Sequence, residues 1–280
     1  MYEQLTWHFP DSNEVSIIFQ GNYGAKGEKR QPRSKPTPEQ IRKQNQKNKE
    51  NRVRRKIKLN FNENDLWITL KYPSGTRKTI QELNRDYSNF IKKLRRRYQK
   101  RGEELKWICR KEVGKNGGLH IHLLVNRLQS EGTPTDVLVD ECWIGHAWHT
   151  NIYESGGYAK LAAYIVKQPD EEVMQQLSLF PEEEQDNLIS YSCSRNLAEP
   201  VPEKKTYSRR TVRKMILEGP TPTPGYEIDK NSIVQGVNPY TGMSYLHYTE
   251  YRVKHGPRKH IPRGQLQRSE DADGSSHILD

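Results

Sequence analysis

Two histidines one residue apart, His120 and His122, sit in the apolar run LHIHLLV, and Glu112 precedes them across the glycine-rich stretch GKNGG. Leu119, Ile121, Leu123 and Val125 share one face of a strand and the two imidazoles share the other, because successive side chains alternate. If LKWICRKEV and LHIHLLV form a hairpin centred on Asn116, Glu112 stands opposite His120, and cross-strand partners lie on one face. Sliding that register by two residues keeps the carboxylate beside the imidazoles, whereas sliding it by one removes it. Two imidazoles and a carboxylate suit a divalent cation and leave positions open for water or phosphate oxygens.

A second group of chemical interest lies in GGYAKLAAYIVKQ. Lys160, Tyr164 and Lys167 are spaced four and three apart, so they project from one side of a helix. Ala159, Ala162, Ala163 and Val166 fall on another side, suited to packing on a sheet. A phenol near a metal can attack a polarised phosphodiester and form a covalent phosphotyrosyl bond, and a lysine can offset the negative charge that develops. Tyr158 is six residues before Tyr164, about 240° around a helix. It aligns with Leu161, Ala162 and Ile165 and is expected to pack, leaving one nucleophile. Cys142, His146 and His149 lack a fourth ligand for zinc. Trp143 and Gly145 are expected to anchor the turn into the next strand. Trp67, Trp107 and Tyr72 could stack on bases, although buried aromatics are commoner.

The elements that must hold these groups can be read from periodicity. VSIIF, KIKLNF, LWITLKYP, LKWICRKEV, LHIHLLV and HAWHTNIYE read as strands, with NEND turning between the second and third. TIQELNRDYSNFIKKLRRRYQKRG reads as a helix. Thr79 and Glu82 form its capping box, an apolar stripe runs from Ile80 to Tyr98, and Gly102 stops it. TPTDVLVDECWIG and the Tyr164 segment complete the helices of this region. The pattern predicts an α+β fold whose central antiparallel sheet is flanked by helices.

Around that core, five segments are expected. Residues 1–56 read as a strand followed by a flexible basic arm, helical in part after Pro38, and residues 57–170 as the catalytic domain. Residues 171–200 read as an acidic linker or exposed helix, and residues 201–256 as a small basic C-terminal extension. Within the extension, EKKTYSRRTVRKMILEG reads as helical, and strands flanking NPYTG pair with each other. Residues 257–280 read as disordered.

The chain of 280 residues carries a formal charge of +11, a mean hydropathy of −1.01 and three cysteines. Three cysteines are too few for a disulfide framework and fit reduced thiols in a cytoplasm. No apolar run reaches membrane-spanning length, and no GxxxxGK[ST] phosphate loop is present, so no ATPase and no membrane partner are expected. Lys26 to Lys56 holds thirteen Lys and Arg against three Glu. Lys29, Arg30, Arg33, Lys35, Arg52, Arg54, Arg55 and Lys56 are therefore candidate DNA-binding residues, acting through phosphate neutralisation.

The region from Ile57 to Gln168 resembles the HUH endonucleases, the group that includes rolling-circle replication initiators, relaxases and some transposases. LWITLKY resembles their first motif, HIH their metal-binding motif, and YIVK (Tyr164 to Lys167) the catalytic YxxK of the initiators. The resemblance implies a ferredoxin-like arrangement, Tyr164 as nucleophile with Lys167 and Lys160 assisting, and Mg2+ or Mn2+ held by His120, His122 and Glu112. It further implies nicking and rejoining of single-stranded or origin DNA in the cytoplasm of a bacterial host, for a plasmid, phage or integrated element, with a host helicase as partner. The other readings are a relaxase or transposase with the same chemistry, or a non-catalytic nucleic-acid-binding protein on a ferredoxin-like sheet.

Overall fold

The computed structural model describes residues 1–20, 36–238 and 241–253. The chain opens with strands β1 (Tyr2–His8) and β2 (Ser12–Phe19) and the long helix α1 (Pro38–Asn60). Next come β3 (Leu66–Lys71), α2 (Ile80–Gln99), β4 (Trp107–Val113) and β5 (Leu119–Val125). Then follow α3 (Thr135–Cys142), β6 (His146–Asn151) and α4 (Gly157–Val166). The remainder is α5 (Glu171–Leu177), α6 (Glu182–Ile189), β7 (Tyr191–Cys193), β8 (Glu203–Tyr207) and α7 (Arg209–Glu218). Three strands close the described chain: β9 (Tyr226–Ile228), β10 (Val234–Val237) and β11 (Ser244–Arg252).

These elements form two antiparallel sheets. The first has the order β6-β3-β5-β4-β7. Its succession β3-α2-β4-β5-α3-β6 is the ferredoxin-like arrangement. One face packs on α2 and α3: Ile68, Leu70, Cys109, Ile121 and Leu123 meet Leu83, Phe90, Leu94 and Leu138 in one buried cluster. The expected apolar stripe of α2, from Ile80 to Tyr98, is buried in full, and Thr79 and Glu82 make the reciprocal capping bonds. The opposite face carries a second cluster, in which Ile108 and Leu124 pack with Leu161, Ala162 and Ile165 of α4 and Val53 and Ile57 of α1. Sequence reasoning chose Ala159 and Ala163 for that contact. Ala159 is exposed, and Leu161 and Ile165 take the buried positions.

The second sheet, β10-β11-β2-β1-β8 with β9 on β11, joins the first nineteen residues to segments more than 180 residues away. Tyr2, Val15, Ile17, Leu246 and Tyr248 pack on Val212 of α7. The strands flanking NPYTG pair as expected. Part of EKKTYSRRTVRKMILEG is strand β8 rather than helix, paired with β1. In the acidic segment, α5 and α6 contribute Leu177 and Leu188 to the first core and β7 pairs with β4, so much of that stretch is built onto the sheet.

The basic arm also differs. The helix begins at Pro38, capped by Thr37 and Gln40, but it continues to Asn60 and absorbs KIKLNF, which reads locally as a strand. Val53 and Ile57, four residues apart, bury against α4, and that tertiary contact overrides strand propensity. Lys29, Arg30, Arg33, Lys35 and the tail from 257 lie outside the described residues.

The C-terminal end of α1 is tied to the second sheet through Glu14. Arg54 grips its carboxylate with both terminal nitrogens, one of them at 2.8 Å, while Arg55 Nε lies at 3.0 Å and Lys58 Nζ at 3.4 Å. Burial pushes the Glu14 carboxyl up, but the hydrogen bonds and charges of Arg54, Lys58 and Arg55 outweigh it and hold the group at about 2. Because the folded-state value lies below the ordinary 4.5, the ionised carboxylate stabilises the fold above about pH 4.5, and the contribution is lost as pH falls toward 2. We expect Glu14→Gln to cost about 3 kcal/mol at pH 7. In urea titrations the gap between Glu14→Gln and wild type should narrow as pH falls from about 4.5 toward 2.

Candidate active site

The β4–β5 hairpin pairs Glu112 with His120 and Arg110 with His122. Its turn is closed by Gly117 N–H donating to Gly114 O at 2.8 Å and Gly114 N–H to Gly118 O at 2.9 Å. The expected register is therefore observed. On the next strand Lys71 pairs with His120 and Thr69 with His122, and β6 continues the rows with His146 and Trp148. Two parallel rows cross this face: Glu112–His120–Lys71–His146 and Arg110–His122–Thr69–Trp148.

Above the rows sits the C-terminal end of α4. Two glycines with positive φ, Gly156 at 91° and Gly157 at 78°, turn the chain into the helix. Tyr164 Oη then lies 2.8 Å from both Glu112 Oε2 and His122 Nε2. Glu112 Oε2 is 3.2 Å from His122 Nε2 and 3.6 Å from His120 Nε2. Trp67 stacks on the His122 ring at 5.6 Å and meets Tyr164 edge-on at 5.8 Å. Lys167 Nζ is 4.7 Å from the centre of the Tyr164 ring and 4.0 Å from Glu112 Oε1.

Arg110 is the residue that sequence reasoning missed. It is 2% exposed, and Nη1 donates to the carbonyls of Ile165 at 2.7 Å, Lys167 at 2.9 Å and Tyr164 at 3.3 Å. Its Nε lies 2.7 Å from Glu112 Oε1. A guanidinium has the planar fork needed to satisfy a helix C-terminus and a carboxylate together. Its sequence signal was available: Arg110 alternates with Glu112 on the histidine face.

The electrostatics suit a cation. Burial pushes the Glu112 carboxyl up, but His120, His122 and Arg110 outweigh it and hold the group far below the carboxylate range. His122 is pushed below its ordinary value by burial, against the pull of Glu112, which favours the neutral imidazole that ligates metals. His122 Nδ1 lies 3.2 Å from Thr69 Oγ1 and His120 Nδ1 3.5 Å from Gly118 O. With the protons on Nδ1, both Nε2 lone pairs face Glu112 Oε2, the orienting role of outer partners around a metal. The ligand atoms of Glu112, His120 and His122 lie within 4.8 Å of one another, so this buried group can hold a metal ion. Burial, then the charge and hydrogen bond of Glu112, push the Tyr164 phenol well above its ordinary value, and the phenol donates to the carboxylate.

Other expected residues are placed elsewhere. Lys160 is exposed, and its stem lies against Gly156 at the opposite end of α4 from Tyr164. Helical side chains lean toward the N-terminus, which draws Lys160 away from the cluster. Tyr158 packs beside Leu161 and donates to Phe61 O at 3.3 Å, as expected of a packing residue. Arg54 and Arg55 are engaged by Glu14, and Lys56 Nζ is 2.5 Å from Glu199, whereas Arg52 is exposed. Cys142 is buried in the first core and His149 binds Asp140 at 2.8 Å, so the zinc alternative does not assemble. Trp143 donates to Lys71 O at 3.0 Å, and Gly145 runs so close to that carbonyl that a Cβ would stand 2.1 Å from it. Trp107 packs on Tyr87, and Tyr72 donates to Asp86 at 3.0 Å.

Residues 65–170 match the family model of the replication-associated proteins of the ORF2 and gene II protein type. That span holds all of the cluster, from Thr69 to Lys167, and points to a protein of DNA replication initiation. Helix α1 and the second sheet lie outside it. No curated protein and no solved structure matches the chain. Among the described residues, no helix is long and apolar enough to cross a membrane.

Arg110→Ala leaves Glu112 without its buried counter-charge and frees three carbonyls of α4. A loss of about 3–5 kcal/mol in urea unfolding is expected. Arg110→Lys keeps the charge without the fork and should recover only part of it.

Proposed function

We propose that this chain initiates rolling-circle replication by nicking and rejoining single-stranded DNA at an origin through a covalent tyrosine adduct, in the manner of the HUH endonucleases. The observation that carries the reading is the Tyr164 phenol oxygen, 2.8 Å from a carboxylate and from an imidazole of a group able to hold a metal. Tyr164 Oη attacks phosphorus, its proton leaves along the hydrogen bond to Glu112 or His122, and the P–O3′ bond breaks. The departing 3′ oxygen takes up a proton and becomes a free hydroxyl that can prime synthesis. Phosphoester is exchanged for phosphoester, so rejoining by the reverse step needs no ATP.

Glu112, His120 and His122 would hold the cation, Mn2+ more tightly than Mg2+ because two of the three donors are imidazole nitrogens. When bound it supplies Lewis-acid polarisation of the phosphate and offsets the carboxylate charge that disfavours the phenolate. Lys167, on the solvent side of the phenol, is placed to offset charge on the phenol and phosphoryl oxygens. Arg110 holds Tyr164 over the cluster by fixing the end of its helix. A bacterial plasmid, phage or integrated element would use such a protein in the cytoplasm, with a helicase of the host to open the duplex. Origin-dependent replication in cells would separate this role from that of a relaxase.

The face around the cluster offers a path for the strand. Trp148 on edge strand β6 is 52% exposed, and Lys71 Nζ lies 5.1 Å from its ring centre. It stands two strands from His122 in the same row, roughly 10 Å away at ordinary strand spacing. An exposed indole beside a cation suits stacking on an unpaired base.

Denaturing electrophoresis after incubation with single-stranded DNA and Mn2+ tests the chemistry. Tyr164→Phe should abolish the adduct and cutting while DNA binding persists, and Tyr158→Phe should retain both. The His120→Ala/His122→Ala double variant should lose Mn2+ binding in calorimetry with little change in Tm. Adduct formation by Tyr164→Phe would overturn the assignment.

Trp148→Ala should raise KM for single-stranded substrate about tenfold, through loss of one stacked base, with kcat changed much less. Initial rates over a substrate series would show it.

A further inference from the structure

A groove of about 1290 Å³ separates α1 from the face of the second sheet that does not pack on α7. It exceeds the roughly 300–1,000 Å³ of ordinary small-molecule sites. The two walls are joined at one end, where Arg54, Arg55 and Lys58 hold Glu14, Arg55 lies over Trp7 at 3.4 Å and Lys58 over Phe9 at 4.6 Å. From there the helix runs on to Pro38 with Gln40, Gln44, Asn45 and Asn48 lining the groove and exposed. The helix side that packs on α4 is a different one, marked by Val53, Ile57 and Gln46, whose amide donates to Val166 O at 3.0 Å.

Each wall has its own chemistry. The helix wall is a strip of uncharged amides, of which Gln44 Nε2 donates to Asn48 Oδ1 at 2.9 Å. Side-chain amides offer a donor and an acceptor together, the pairing that matches base edges. The sheet wall carries half-buried Tyr245 and His247, with ring centres 5.3 Å apart and planes tilted by 32°. Helical spacing puts Lys47 and Arg52 on either border of the amide strip. The whole of α1 carries nine Lys and Arg against two Glu. Glu14 adds no net negative charge, since three cations surround it.

We propose that this groove binds single-stranded DNA, with the phosphates along the basic borders of α1 and unpaired bases between the amides and the Tyr245–His247 rings. The proposal rests on the reading of the chain as a protein that acts on DNA, and it assigns α1 and the second sheet, outside the family match, a binding role separate from the Tyr164 cluster. Ring stacking requires exposed base faces, which a duplex withholds, so the sheet wall selects unpaired strands.

The test is fluorescence anisotropy with the Tyr164→Phe chain in a chelating buffer, using a labelled random-sequence strand and the same strand annealed into duplex. Binding is then read without cutting. Tyr245→Ala and, separately, Asn45→Ala/Asn48→Ala are each expected to weaken single-strand binding about tenfold, with duplex binding within about twofold. Both amides are exposed, so that double variant folds even if Tyr245→Ala does not, and thermal unfolding checks both. Unchanged single-strand affinity in the amide variant would overturn the proposal, as would an equal loss on duplex. If the native chain forms no covalent adduct yet the variants lose single-strand binding, the nicking reading fails and the groove stands.

Discussion

Arg110 sits at the junction of β4 and the end of α4, where carbonyls at the negative end of a helix converge on a carboxylate, and the rest of the candidate site depends on this buried guanidinium. Without a cation these groups would repel one another and lack solvent, a combination that costs several kcal/mol. With it, the oxygens of Glu112 are divided. Oε1 is held by arginine and Oε2 is left facing the imidazoles and the phenol. The same side chain thus sets the helix position that brings Tyr164 down and the carboxylate orientation that meets it, so site geometry and core stability are not separable at this residue.

The second constraint is the placement of α1. By packing Val53 and Ile57 on α4, it closes the side of that helix turned away from the sheet, and by gripping Glu14 it fixes the second sheet to the first unit. A sequence dominated by Lys, Arg, Asn and Gln reads as a solvated arm because only two of its positions are buried. Those two, one helical turn apart, are enough to dock it.

What could be read in advance follows from the range of the interactions involved. The hairpin register, the α2 stripe and the packing role of Tyr158 rest on periodicities within a few residues, and the sequence displays them directly. KIKLNF fails for the same reason: its local alternation suits a strand, and only the distant α4 makes it helix. Strand β1 and the closure of the second sheet depend on pairing Tyr2–Thr6 with Glu203–Tyr207, a separation that no local pattern encodes. Arg110 was legible by alternation, yet an arginine in a basic chain gives no sign that it is buried until α4 is placed above it. Lys160 shows the converse, since spacing alone assigned it to the tyrosine face, whereas the lean of helical side chains sends it to the other end.

The two tyrosines of α4 show how one helix separates a reactive group from a structural one. Tyr158 and Tyr164 differ by six residues, and their hydroxyls diverge accordingly, one to Phe61 O and the other to the Glu112–His122 pair. Burial and the nearby carboxylates push Tyr158 up to about 12, and the group able to hold a cation lies with Tyr164 rather than beside it. Tyr164 is pushed up as well, but the carboxylate responsible is itself a ligand of the group able to hold a metal. The field that keeps the phenol protonated is therefore the one a cation would cancel. On the proposed reading the nucleophile stays quiet until the cation is in place, whereas Tyr158 stays quiet throughout. A single nucleophile of this kind can break one strand and restore it by reversal, and a second strand transfer at the same visit would require another chain or a hydroxyl from the DNA.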